Sequence, residues 1–223
     1  MNKNSILCAA ALALLGASAA QAQSAGSFVV RAGGTTIMPQ VESGDLSAPS
    51  LAGTKIDVKK ASQFTGGITW MWTDNIAIDL PLGLPFEHDV VGDGAIAGVG
   101  VLGTVKSLPM TLLAQYRFGQ ASSQIRPYVG AGATYAYFYD SEGTAVLSGL
   151  TGGSPSKPTT LSMKNAFGPA LQAGLSVNLT ERWSLDASVM KVFVKTTGTL
   201  STGQTIDATL DPVAVSIAVG YRF

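Results

Sequence analysis

The segment DPVAVSIAVGYRF at residues 211–223 decides the fold. Its alternate residues separate into two faces. One face carries Val213, Val215, Ile217, Val219, Tyr221 and Phe223, and the other carries Ala214, Ser216, Ala218, Gly220 and Arg222. A period of two residues indicates a β-strand. Because one face is apolar and the other is small or polar, the pattern is typical of a strand between hydrocarbon and a barrel lumen.

Seven more segments show this alternation. It is clear at 167–179 and after Arg182, and weaker at 26–37, 64–72, 76–85, 109–118 and 125–139. Beyond Met190 the pattern changes: if Val192 and Val194 stay outward, Phe193 must point inward. A bulge near Met190 is therefore expected. The sequence predicts about eight strands in a single domain.

The connections alternate in length, which orients the barrel. Those at 73–75, 119–124 and 180–182 are short, whereas those at 38–63, 86–108, 140–163 and 196–210 are long, polar and rich in Gly, Ser and Pro. Short periplasmic turns and long external loops are typical of outer-membrane barrels. An even number of strands predicts that both termini are periplasmic.

Composition supports a membrane barrel. Only 13% of the residues are charged and 26 are glycine, and no run of 18 apolar residues can form a spanning helix. An apolar chain without such helices can satisfy its backbone in lipid by closing a sheet. A soluble lipocalin-like barrel is the alternative, but the polar face is too small to coat it. The predicted class is all-β, an eight-stranded antiparallel transmembrane β-barrel.

The first 22 residues have the pattern of a secretory signal peptide. Lys3 precedes an apolar run at 6–20, and Ala20-Gln21-Ala22 predicts cleavage before Gln23. Residues 1–22 would be removed and residues 23–223 would form the barrel in the outer membrane of a Gram-negative bacterium. Cys8, the single cysteine, would leave with the signal peptide. The mature charge is near −1, which argues against nucleic-acid binding.

Several segments resemble one family. They are TDNIAIDL at 73–80, PFEHD at 85–89, LPMTLLAQYRFG at 108–119, RPYVGAGATYAYF at 126–138, WSLDASV at 183–189 and the terminal segment. In this order they resemble the outer membrane protein W family, whose relatives include alkane uptake barrels. The resemblance implies an apolar lumen that passes small hydrophobic molecules. Relatives often carry Trp at the position of Met190 and Pro at that of Met110. The final strand, ending in Phe223, is expected to engage the barrel assembly machinery.

The lumen is expected to be apolar toward the loops. The residues predicted to line it are Pro81, Pro85, Phe86, Leu113, Phe138, Met190 and Phe193. Small inward residues, such as Gly130, Gly132 and Gly174, predict an open arc of wall. Such a lumen favours apolar solutes. Alternatively, these side chains pack the barrel shut.

Inward charges concentrate toward the short turns. The predicted set is Arg31, Asp79, Arg117, Arg126, Asp186 and Arg222. Buried charges need partners, so an Arg/Asp network that plugs this end is expected. A solute would then leave sideways into the membrane, where Pro109, Pro127 and Pro169 weaken the wall.

Two other functions remain open. A barrel lipid enzyme would need a base, and His88 is the only histidine; it is predicted to be a solvated loop residue. Its neighbours Glu87 and Asp89 point away from it on a strand, so no metal site is predicted. No cofactor is expected. The long loops instead permit a structural or receptor role.

Overall fold

The computed structural model describes residues 23–154 and 156–223. The predicted signal peptide, residues 1–22, lies outside the described residues. The strands are β1 Phe28–Met38, β2 Glu42–Ser43, β3 Thr54–Val58, β4 Ala61–Met71, β5 Ile76–Gly83, β6 Phe86–Gly94, β7 Val101–Arg117, β8 Ile125–Gly143, β9 Leu161–Met163, β10 Ala166–Asn178, β11 Trp183–Val192, β12 Lys195–Leu200, β13 Thr205–Thr209 and β14 Val213–Arg222. A short helix covers Ala145–Thr151. Within the described part of the chain, no helix has the length and apolarity to cross a membrane.

Eight strands close into a ring. Their order is β7-β5-β4-β1-β14-β11-β10-β8, and β8 pairs with β7. The neighbours are antiparallel, and β1 joins β14 in a register that places Gly33 opposite Ala218. Closure leaves the ring without a free edge strand, as a membrane barrel requires. The predicted fold class is confirmed.

The two faces of the last strand are as predicted. Along β14, Ile217 is 61% exposed, whereas the inward Ala214 is 5% exposed. The same alternation continues along β10, where outward residues are exposed and inward residues are buried. Apolar side chains thus cover the outside of the barrel.

Two ends of the barrel can be distinguished. The turn end carries the short connections, and Phe223 pairs there through a hydrogen bond from its backbone N–H to the Phe28 carbonyl. The loop end carries the long connections. These long connections contain regular strands, although the sequence predicts loops there. At the loop end β3 and β6 extend the wall beside β7, while β2, β13, β12 and β9 form a separate four-stranded sheet. Between them lies a core that includes Val90, Leu102 and Leu200.

The bulge predicted near Met190 is wrong. The pairing of β11 with β10 runs without interruption from Asn178↔Ser184 to Ala170↔Val192. Val192 and Val194 therefore continue the inward face and are 5% and 3% exposed, whereas Phe193 is 41% exposed. Phe193 consequently does not line the lumen. The pattern misled because the interior of the loop end is itself apolar, so valine no longer marks the outward face.

Candidate functional site

A buried ion-pair cluster lies in the lumen. Arg31 on β1 donates to Asp79 on β5 at 2.5 Å and to Asp186 on β11 at 3.2 Å. Thr69 donates to Asp79 at 2.5 Å, and Tyr128 donates to Asp186 at 2.8 Å. Each of these side chains points inward from a different strand, so the cluster ties five strands together across the lumen. Buried charges with several hydrogen-bond partners have little freedom to move.

The other three arginines differ from the prediction. Arg117, Arg126 and Arg222 are buried, but the described residues contain no ion pair between any of them and a carboxylate. Arg126 donates to the backbone carbonyls of Asp74 and Phe118. The predicted Arg/Asp network is thus correct only around Arg31. The turn carbonyls supply the negative ends of dipoles that the sequence pattern did not reveal.

Arg117 and Arg222 use amide oxygens in a similar way. Arg117 donates to Gln115 at 2.9 Å and lies 4.8 Å from the centre of the Tyr128 ring. Arg222 donates to the Glu181 carbonyl at 2.6 Å and to Asn178 at 3.0 Å. Such charge-assisted bonds hold the guanidinium groups in fixed positions across the lumen.

Gln23 is a further member of this layer that sequence reasoning missed. Its side chain is fully buried, and its Oε1 accepts from Arg117 at 3.1 Å and from Arg126 at 3.4 Å. Its Nε2 donates to Ser176 and Asn178. No local pattern around residue 23 signals this contact. Tyr128 was also missed, although its parity with Arg126 places it inward.

The predicted open arc is partly filled. A Cβ atom at Gly174 would lie 2.3 Å from Cζ of Tyr128, so the tyrosine ring occupies the space beside this glycine. Gly130 faces Gln115 and Gln172, whose side chains join at 2.7 Å. Large side chains from neighbouring strands therefore occupy the room that the small residues leave.

A cavity of about 70 Å³ remains between the charged cluster and the loop end. Of the residues predicted as apolar lining, Pro81, Phe86 and Met190 border it. Leu113 instead packs in the apolar core with Phe138 against it. Pro85 is half-buried, and its carbonyl accepts from Gln63.

The barrel wall is interrupted beside this cavity. In the described chain, β5 pairs with β7 only from Ile76↔Tyr116 to Asp79↔Leu113. Pairing resumes between Phe86 of β6 and Ser107 of β7. Between these points, residues 80–85 and 108–112 form no ladder across this boundary. We call this opening the wall gap.

Two prolines explain the wall gap. Pro81 stands on one edge and Pro109 on the other, and neither has an N–H group for the ladder. Pro127 and Pro169 behave differently, because their carbonyls still accept backbone hydrogen bonds from Phe118 and Phe193, each at 2.9 Å. Residues from both edges, including Leu82 and Leu108, also line the cavity. The cavity therefore reaches the wall gap.

Comparison with known proteins agrees with this architecture. The OmpW family model matches residues 24–223, nearly the whole described chain. The chain belongs to the OmpW family. Outer membrane protein W of Vibrio cholerae is 33% identical over 229 residues, covering 99% of this chain and all of the relative. The crystal structure of OprG from Pseudomonas aeruginosa is similar with a TM-score of 0.80 and 28% identity, covering 91% of this chain and 98% of that chain. The dibenzothiophene metabolism operon protein PahQ of Pseudomonas aeruginosa is 25% identical over 80% of this chain and 79% of its own length.

His88 occupies an unexpected place in this OmpW-family barrel. The sequence suggested a solvated loop residue, but His88 is 5% exposed on the inward face of β6. Its Nδ1 lies 2.9 Å from the Lys59 carbonyl, and its ring stacks on Phe86. Its neighbours Glu87 and Asp89 are exposed on the other face of the strand. Burial lowers the pKa of His88 below its ordinary value of 6.5, partly opposed by the Lys59 carbonyl.

The acidic neighbours of His88 do not point toward its imidazole ring, because they lie on the opposite face of the strand. In residues 23–154 and 156–223, no three or more His, Cys, Asp or Glu side chains are grouped to hold a metal ion. The proteins of this family are outer-membrane barrels. His88 is part of the buried interior at the loop end.

Proposed function

We propose that this OmpW-family barrel passes small hydrophobic molecules across the outer membrane passively and releases them sideways through the wall gap. The observation that carries the proposal is the interruption between β5 and β7 beside the lumen cavity. A solute that enters this cavity has a route into the surrounding hydrocarbon that does not cross the charged layers.

The turn end supports lateral rather than axial exit. The Arg31 cluster and the layer around Arg117 and Gln23 span the lumen with buried polar side chains. An apolar solute that crossed them would separate charged groups from their partners, which costs several kcal/mol. Exit through the gap avoids this cost.

The lining on the gap side favours apolar solutes. Pro81, Leu82, Leu108 and Pro109 border the cavity there, and Leu82 and Leu84 are 48% and 56% exposed on the barrel surface. Each methylene that leaves water for such surroundings contributes about 0.8 kcal/mol. The name of the relative PahQ refers to dibenzothiophene metabolism, which agrees with a hydrophobic solute.

The orientation is part of the proposal. We place the turn end, with Gln23 and Phe223, in the periplasm and the loop end outside the cell. This follows the usual arrangement of short periplasmic turns and long external loops. Outer-membrane lipids then surround the apolar band, and the final strand presents Phe223 to the assembly machinery.

Repairing the wall tests the route. The variant Pro81→Val/Pro109→Val restores two ladder donors and is expected to reduce protein-dependent uptake of a labelled apolar solute by intact cells. The matched control is Pro127→Val/Pro169→Val, which alters two prolines inside continuous pairing. Cells without the protein give the background. Unchanged uptake in the first variant, with an intact barrel by circular dichroism, would refute lateral exit.

A further inference from the structure

One side of the lumen cavity carries polar groups with unused hydrogen-bonding capacity. Ser188 and Gln172 border the cavity and are 8% and 7% exposed. Gln172 accepts from Gln115 through Oε1, but within the described residues its Nε2 has no partner. The Ser188 hydroxyl likewise has none in residues 23–154 and 156–223. Neither the Ser188 hydroxyl nor the Gln172 Nε2 is among the fully buried side-chain atoms of the described chain that lack a partner. Both groups are therefore open to the cavity, and a polar molecule that enters it can bind them.

A carboxylate lies beside them. Asp186 also borders the cavity, and its Oδ1 accepts from Arg31 and Tyr128. Within the described chain its Oδ2 has no hydrogen-bond partner. The cavity wall formed by β10 and β11 thus offers two donors and one acceptor within a short stretch.

The apolar side of the cavity lies across the lumen. Around the ring, β11 is four strands from β5 and β10 is two strands from β7. The polar groups therefore face the wall gap, whose edges carry Pro81, Leu82 and Leu108. The lining also includes Thr35, Thr65, Thr111 and Ser216, but their hydroxyl groups bond to one another or to Thr134. In the described chain, the polar groups that remain open to the cavity without partners therefore lie on the wall opposite the gap.

The size of the cavity agrees with this division. Its volume is about 70 Å³, far below the roughly 300–1,000 Å³ of pockets that enclose a drug-sized ligand. It has room for a small head group and the first carbons of a chain. The remainder of a longer molecule must extend through the gap.

We infer that the preferred solutes are uncharged amphiphiles, with a hydrocarbon tail and one hydroxyl or carbonyl oxygen bound by Ser188 and Gln172. This inference rests on the proposed function and names its substrate class. A pure hydrocarbon would displace water from Ser188 and Gln172 and leave both without partners. A carboxylate head is disfavoured because Asp186 carries the same charge and because Arg31, which also borders the cavity, already donates to Asp79 and Asp186.

The test compares two labelled probes, 1-decanol and decane, in initial uptake by intact cells. Wild-type protein is expected to favour the alcohol, after subtraction of the uptake by cells without the protein, by roughly ten-fold, the effect of one satisfied buried hydrogen bond. The variant Ser188→Ala removes a hydroxyl with no protein partner, so the barrel should still fold. It is expected to abolish most of this preference by lowering alcohol uptake alone.

Ser184→Ala is the matched control. Ser184 is inward and 3% exposed on the same strand, but it lies outside the cavity. It should change neither uptake rate. Equal uptake of the two probes by the wild type, or equal loss of both in Ser188→Ala, would overturn the amphiphile inference while leaving the channel standing. If neither probe depends on the protein, the channel itself is refuted together with the preference.

Discussion

The ring of Tyr128 occupies the space that a side chain at residue 174 would fill. A Cβ atom at Gly174 would lie 2.5 Å from the Tyr128 hydroxyl oxygen, which in turn donates to Asp186. The glycine therefore permits the contact that connects β8 to the Arg31 cluster. Packing around the charged cluster therefore depends on residue 174 having no Cβ atom.

Gly174→Ala is expected to displace Tyr128 and weaken its hydrogen bond to Asp186. Overpacking of this kind typically costs about 1–3 kcal/mol, which urea unfolding of the barrel in lipid vesicles would detect. Gly34→Ala is the control, because the nearest atom to its added Cβ would be 3.8 Å away. A loss of the same size in both variants would contradict the specific role of Tyr128.

Removing one partner of the buried cluster should be strongly destabilising. Asp79→Ala leaves Arg31 with Asp186 alone and is expected to reduce the free energy of unfolding by about 3–5 kcal/mol. Asp57→Ala removes the exposed partner of Lys59 and should cost at most about 1 kcal/mol. Equal unfolding midpoints for the two variants would show that the lumen cluster contributes little.

The arginine layer is expected to limit ion flow. Arg117→Ala/Arg222→Ala should raise single-channel conductance in planar bilayers, because two side chains that cross the lumen are removed. Arg182→Ala alters an exposed turn arginine that bonds to Tyr221 and should leave conductance unchanged. Unaltered conductance in the double variant would count against a plug at the turn end.

The orientation of Phe193 can be measured directly. The fluorescence of Phe193→Trp should be quenched by brominated lipids, because residue 193 is on the outward face. Met190 borders the cavity, so the fluorescence of Met190→Trp should be shielded from the brominated lipids. The opposite pattern would restore the bulge that the sequence suggested.

Protonation of His88 should loosen the loop end. Its pKa is lowered on folding, so the unfolded or opened state binds the proton more strongly. The stabilisation is complete above the ordinary value of 6.5 and is lost as the pH falls through the folded-state pKa. The protection factors of the β6 amides, which are the intrinsic exchange rates divided by the observed ones, should therefore fall in mildly acidic buffer. His88→Gln should remove this pH dependence, and an identical fall in the variant would exclude His88 as its source.

Sequence parity located much of the lumen correctly. Arg31, Asp79 and Asp186 could be placed inward because they share parity with small residues on strands whose other face is apolar. The contacts of Arg126 with the turn carbonyls could not be inferred, since they depend on backbone groups brought close by barrel closure. Gln23 was missed for the same reason: its partners lie far away in the chain.

The amino-acid sequence by itself determined the eight strands, the ring they form and the inward or outward side of most residues along them. It did so because a two-residue period is local and the two sides of that band differ sharply in polarity. Only the tertiary structure decided the inward course of Val192 and Val194, the partners of the arginines and the wall gap. These depend on distant strands: Pro81 and Pro109 are 28 residues apart, and their missing donors interrupt the wall because folding sets them on facing edges.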